Sequence, residues 1–368
     1  MKWNGWIAMG CAALGVCAVG GYGLMAQTVV ADGLVGPRGL KFGPNGDLYV
    51  ALSGPGGTSS TAATCPELQV AATVGGPYTN GNTGSIVKID KSGNVTTVAS
   101  GFPSALSSRN PPDVLGVADV AFLDGQLYAL ESGGGCSHGA STPNMVAKVD
   151  EATQEWTVLA DLSAAVLADP PSPLPPDYEA DGVFYNLIAA RGKLYAVEAN
   201  HGKIWSVTKA GQIEKVTDVA AADGHIVPTA AVESEGGLIV GNLGLFPIVP
   251  DSSQLLTLKP GCDDHSVACG PGTLHITDTA SPGLATVVAM DWGPDGLLYV
   301  LELSDTAGFP NPDDGKVVRI RNGVAEDVIT GLALPTGMTF GPDGALYISN
   351  WGAAAPAPIG QILRYTVQ

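Results

Sequence analysis

The stretch GPRGLKFGPNGDLYVA at residues 36–51 reads as strand, tight turn, strand. Pro44 pre-sets the first turn dihedral, and Asn45-Gly46 accepts the left-handed one. The unit returns as MDWGPDGLLYV at 290–300 and as MTFGPDGALYI at 338–348. Weaker copies are VAFLDGQLYA at 120–129, LIAARGKLYA at 187–196 and AVESEGGLIV at 231–240. Self-similarity at this spacing points to a repeat architecture rather than to one irregular core.

A second hairpin follows most copies. SIVKIDKSGNVTTV at 85–98 is the clearest, matched by 146–150 with 156–159, by 203–207 with 213–216, and by 316–320 with 326–329. Four short antiparallel strands per unit, six units and no helical periodicity predict an all-β chain, a six-bladed β-propeller. The last unit supplies only three strands, ending at QILRY, 361–365. TVVADGL at 28–34 resembles the missing fourth, so the N-terminal strand is expected to close the ring. Long insertions are expected at 54–84, at 250–279 and at the junction of blades 2 and 3, where ADPPSPLPPD, 168–177, must be extended.

Composition limits the function. The 368 residues carry a net charge of −18, which opposes binding to a phosphate backbone, so no nucleic-acid partner is expected. Residues 1–26 read as a cleaved export signal, with Lys2, an apolar run from Trp6 to Val19, and Ala26 before the cut. After cleavage no stable membrane span remains, and residues 27–368 form one domain in a secreted or periplasmic protein. Four cysteines then stay behind: Cys65, Cys136, Cys262 and Cys269. Exported chains with an even number favour disulfides. Cys65 and Cys136 fall on neighbouring loops of one face and are expected to pair, while Cys262 and Cys269 are placed to close one polar loop.

The less repetitive pieces come in a recognisable order: DLSAA at 161–165, KLYAVEAN at 193–200, VPT at 227–229, VGNLGLFP at 240–247 and ISNWG at 348–352. Together they resemble the ScyD/ScyE family of exported bacterial proteins, whose repeats are similar to NHL repeats. The resemblance covers essentially the whole chain after the signal. It implies a propeller and export, and a binding or accessory role more than any reaction. Two positions depart from the family: EADGVFYN at 179–186 replaces an Asn-Pro-Tyr-Gly stretch, and Ala289 stands where Asp is common.

Propellers bind ligands where the innermost strands begin. Aligning those strands gives a ring of Gly39, Asp119, Asn186, Thr229, Ala289 and Gly337, with Arg38, Tyr185 and Thr336 among the adjacent positions. Related gluconolactonase-type propellers hold calcium there with oxygen ligands from several blades. Asp119, Asn186 and Thr229 are the candidate metal ligands and Ca2+ the only cofactor considered, with His225 or His201 as a base. Arg38 stands in the place of an acidic ligand of that group. A second ring holds Glu131, Glu198, Asn242, Glu302 and Asn350. These either cap the turn leaving each second strand or form a polar rim for a cation or polyol-like ligand. Phe246, before Pro247, is either a packed plug or an apolar wall facing a ligand. With Arg38 and Tyr185 these residues make the candidate binding set. The expected partner is a small molecule or another exported protein. The alternative is a calcium-dependent lactonase or hydrolase; a quinone-dependent dehydrogenase lacks a paired basic and histidine set.

Overall fold

The computed structural model describes residues 27–62, 64–110, 112–261, 272–353 and 356–367. The export-signal reading of 1–26, the Cys262–Cys269 pair and His265 lie outside these residues. Six antiparallel sheets stand around an axis, and the strands nearest it are Pro37–Phe42, Val117–Leu123, Phe184–Ala190, Pro228–Ser234, Val287–Trp292 and Gly337–Phe340. Each sheet runs outward in sequence order, as short hairpin connections require. Blade 6 is completed by Gln27–Leu34, which pairs antiparallel with Gly360–Tyr365. The ring is therefore closed as the sequence predicts.

The second strands are buried along their length, as in LYVAL at 48–52. Both faces of each blade pack on neighbours, so their side chains need not alternate in polarity. Six apolar clusters result, one between each pair of adjacent blades. The glycine that opens each GPxG turn has a packing reason. A Cβ on Gly43, Gly293 or Gly341 would lie within 2.7 Å of the ring of Tyr49, Tyr299 or Tyr347. Blades 2 and 3 use tighter turns, with positive φ at both Asp124-Gly125 and Arg191-Gly192.

Three details differ from the sequence reading. The described part of the supposed insertion at 250–279 is mostly the outer hairpin of blade 4, Ser253–Pro260 with Leu274–Leu284, and His275 lies in its last strand. Two short helices, Leu162–Ala168 and Val219–Asp223, follow the outer strands of blades 2 and 3. They are capped by Asp161 and Asp218, whose side chains accept from the N–H groups of Ala164 and Ala221. Blade 1 gains two extra short strands, one of which, Val114–Leu115, pairs with Val95–Leu106. The Ser107 N–H donates to the Asp113 carbonyl at the open end of this strand pair. No helix among the described residues is long and apolar enough to cross a membrane.

Candidate functional site

The inner-strand ring surrounds the channel as predicted, with Gly39, Asp119, Asn186, Ala289 and Gly337 lining a void of only about 20 Å3. Its polar members point from blade to blade. Asp119 Oδ2 accepts from Asn186 Nδ2 at 2.6 Å and from the Leu187 N–H at 2.8 Å, while Oδ1 accepts from the Val120 N–H at 2.8 Å. Asn186 Oδ1 accepts in turn from the Ala231 N–H at 2.9 Å. The Thr229 hydroxyl donates to the Val287 carbonyl. Blades 2 to 5 are thus linked by a polar belt. Gly39 makes room for it, because a Cβ there would sit 1.8 Å from Asp119 Oδ1. Burial pushes the Asp119 carboxyl up to about 6, opposed by the Leu187 N–H and by Lys41.

Calcium needs six or more oxygens converging on one point. Asp119, Asn186 and Thr229 instead spend their polar atoms on successive neighbours, so as a set they do not fit the ion. The described residues contain no group of three or more histidine, cysteine, aspartate or glutamate side chains placed to share a metal.

The second ring is bonded mainly to backbone. Glu198 Oε1 accepts from the N–H groups of Val183 and Asn200, and Oε2 from that of His201. Asn350 Oδ1 accepts from the Ala333 N–H. Asn242 accepts from the Gln254 N–H and donates to the Ile226 carbonyl. In each case the side chain fastens the segment that enters its own blade's inner strand. Glu131 accepts from the Gly133 N–H at 2.6 Å, but its Oε2 has no partner. Neither Glu302 oxygen closes a hydrogen bond of normal geometry, and Lys316 Nζ is 3.7 Å away. Burial raises all three glutamates. Glu131 is held well above the usual carboxylate range and Glu302 is pushed up to about 8.

At the channel mouth a second cavity of about 50 Å3 is lined by Arg38, Asp113, Leu115, Phe184, Tyr185, Thr336 and their neighbours. Tyr185 and Thr336 border both cavities. Its hydroxyl lies against the Arg38 guanidinium, and burial raises it above the ordinary phenol value. Arg38 Nη2 donates to the Val114 carbonyl and, at 3.2 Å, to Asp113 Oδ1. Arg38 and Tyr185 are therefore brought together.

The other candidates are not at this pocket. His225 Nε2 is 2.7 Å from Asp177 Oδ1. His201 is fully buried, stacked on Tyr178, with Nε2 2.9 Å from the Glu179 carbonyl and Nδ1 unpartnered. Phe246 is neither plug nor channel wall. It stacks on Phe309 at 6.1 Å on the surface, where an Ile248–Gly308 bridge joins the blade 4 and blade 5 loops.

Sequence reasoning missed a buried network beside the mouth. The loops of blades 1 and 2 are joined by the Cys65–Cys136 disulfide, with Cα atoms 5.8 Å apart. Next to it His138 Nδ1 contacts the Gly134 carbonyl at 2.6 Å and Nε2 contacts Glu179 Oε2 at 2.8 Å. Both ring nitrogens therefore face acceptors, as an imidazolium requires. Burial lowers the His138 value, but the Glu179 hydrogen bond and charge outweigh it, and the net shift is upward. Tyr78 donates to the same carboxylate. No spacing connects residues 78, 138 and 179, so only the cysteine pairing pointed to this region. Asp113 was missed as well, because its hairpin carries no repeat signature.

No protein-family profile matches the sequence, and no curated protein matches it. Solved structures share the fold at low identity. A gluconolactonase from Xanthomonas campestris, described as important in glucose secondary metabolic pathways, aligns over 94% of this chain and 90% of its own at 11% identity, with a TM-score of 0.53. The PQQ-bound aldose sugar dehydrogenase of Streptomyces coelicolor aligns over 94% and 98% at 15% identity, TM-score 0.52. A glucose dehydrogenase aligns over 93% and 100% at 14% identity, TM-score 0.54. At these identities the likeness shows a six-bladed propeller and no shared chemistry.

Proposed function

We propose that this chain is an exported propeller of the ScyD/ScyE type, which binds a small molecule or a protein partner as an accessory factor and turns over no substrate. One observation carries the reading: most of the acids and amides that the repeats bring to the channel are committed to the protein's own backbone. Glu198 fastens three N–H groups, and Asp119, Asn186 and Thr229 tie blade to blade. What remains open on the axis is a shallow, largely apolar pocket around Arg38 and Tyr185. Export is supported by the leader-like residues 1–26 and by the Cys65–Cys136 bridge, since such bonds persist in oxidising compartments. The unbroken succession of six blades supports residues 27–368 as one domain.

The test uses the chain without residues 1–26. It is weighed by native mass spectrometry before and after chelation, with calcium added back, and assayed on D-glucono-1,5-lactone and simple aryl esters. The expected result is an unchanged mass and rates equal to the buffer blank. A retained divalent ion, with lactone hydrolysis that chelation abolishes, would overturn the reading in favour of a calcium-dependent lactonase using Asp119, Asn186 and Thr229.

A further inference from the structure

The mouth pocket has a charge pattern that the rest of the molecule lacks a use for. In a chain of net charge −18, its lining holds one cation, Arg38, and one acid, Asp113. The Arg38 side chain is 9% exposed, whereas that of Asp113 is 49% exposed.

Arg38 is rigidly mounted. Its own carbonyl accepts from Ser349 Oγ, the Pro37 carbonyl accepts from Thr336 Oγ1, and Nη2 is anchored on the Val114 carbonyl. The recorded acceptors, Val114 O and Asp113 Oδ1, both sit on Nη2. Among the described residues Nε and Nη1 donate to no carboxylate or carbonyl, and the Tyr185 hydroxyl lies beside the guanidinium. Both two-donor edges of a guanidinium include Nη2, so once Asp113 leaves, the freed Nη2 N–H and the N–H next to it match a carboxylate, which accepts two parallel N–H bonds and an O–H bond from the phenol.

Asp113 makes a poor partner for it. Asp113 adjoins the Val114–Leu115 strand, and its Oδ1 is shared between the Val114 N–H at 2.8 Å and Arg38 at 3.2 Å. An ion pair with one member half in water contributes little. Beside this guanidinium the pocket wall is apolar, formed by Val114, Leu115, Val183 and Phe184.

We propose that Arg38 and Tyr185 form a carboxylate-binding site, which Asp113 occupies until an organic acid with an apolar body displaces it. The inference rests on the binding role proposed above and adds the ligand class. It goes beyond that role by assigning an exchange between an internal and an external carboxylate.

The test is a 19F NMR titration with 4-fluorobenzoate, and with neutral 4-fluorobenzamide as control. Wild type should bind the benzoate saturably and the benzamide not at all. Arg38→Gln should weaken binding by about tenfold or more, and Tyr185→Phe by several-fold. Asp113→Asn should tighten binding several-fold by removing the competing charge. The Asp113 side chain is half exposed and asparagine keeps its shape, so this variant reports on the proposal even if Arg38→Gln fails to fold. Equal binding of the benzamide, an Asp113→Asn affinity no tighter than wild type, or no benzoate binding to either protein would overturn it. So would displacement of benzoate by inorganic phosphate at lower concentration, which would make the site a general oxyanion receptor. The accessory reading fails separately: lactone or ester turnover that persists in Arg38→Gln removes it while leaving the benzoate result intact.

Discussion

Glu131, Glu198 and Glu302 occupy one position of the repeat, yet their surroundings give them different hydrogen-bond partners. Glu198 offers both oxygens to three backbone N–H donors. Glu131 has one oxygen without a partner and no cation beside it, and burial raises it well above the usual carboxylate range. A glutamine keeps one accepting oxygen, enough for Glu131's bond to the Gly133 N–H, but turns an NH2 toward N–H groups where the carboxylate accepts on both oxygens. Glu131→Gln should therefore change stability by less than about 1 kcal/mol, and Glu198→Gln should cost about 2 kcal/mol. Urea unfolding at pH 7 measures both. Equal costs would mean that the second oxygen of Glu131 is needed as much as that of Glu198. The recurrence of these acids is legible in the sequence; their separate bonding is not, because it depends on which N–H groups the loops turn inward.

Elements outside the repeat are held by other means. The blade 1 insertion has a small core of its own, in which Val70, Val74 and Tyr78 pack on Ala105 and Leu115. It is pinned to blade 2 by the disulfide and by Asn80, which donates to the Gly133 and His138 carbonyls. The cysteines are 71 residues apart, and a loop of that size predicts a loss of up to about 4 kcal/mol on opening the bridge. Cys65→Ser with Cys136→Ser should show it as a lower urea midpoint, and an unchanged midpoint would mean that the insertion's core alone holds the loop. At this scale the sequence was read unevenly. The GPxG turns were recognised because proline, glycine and aspartate spell out dihedrals. The two short helices were passed over although Asp161 and Asp218 precede alanine-rich runs, since one or two turns leave no periodicity to detect. The outer hairpin of blade 4 reads as an insertion because its two strands lie far apart in the sequence.

Across the whole molecule the buried titrating groups pull in one direction. Asp119 is pushed up to about 6 and Glu302 to about 8, and His138 is raised as well. The native state therefore binds more protons than the unfolded chain between the ordinary and the shifted values. Stability from these groups is complete below the ordinary values and is lost as pH rises through the shifted ones. For Asp119 alone the two-unit shift corresponds to about 3 kcal/mol lost between pH 4 and 6. Self-repulsion at a net charge of −18 adds to the trend. The salt-bridged Asp169, Asp343 and Glu326 are lowered and act the opposite way only at acid pH. Scanning calorimetry should find the highest Tm near pH 5 and a Tm several degrees lower at pH 8.5, with Glu302→Gln flattening the upper part; a Tm that climbs across this range contradicts the assignment. The ring of blades was legible because every turn repeats, whereas the Arg38–Asp113 contact joins an inner strand to an irregular hairpin and leaves no trace in spacing. Closure has one more consequence. Gln27–Leu34 finds its partner only in Gly360–Tyr365, so a chain delivered from its N-terminus shows an unpaired edge first and releases the mate last. Until Tyr365 emerges, that edge is open to any intruding strand, and a chaperone that shields it through the delay would protect the yield of closed rings.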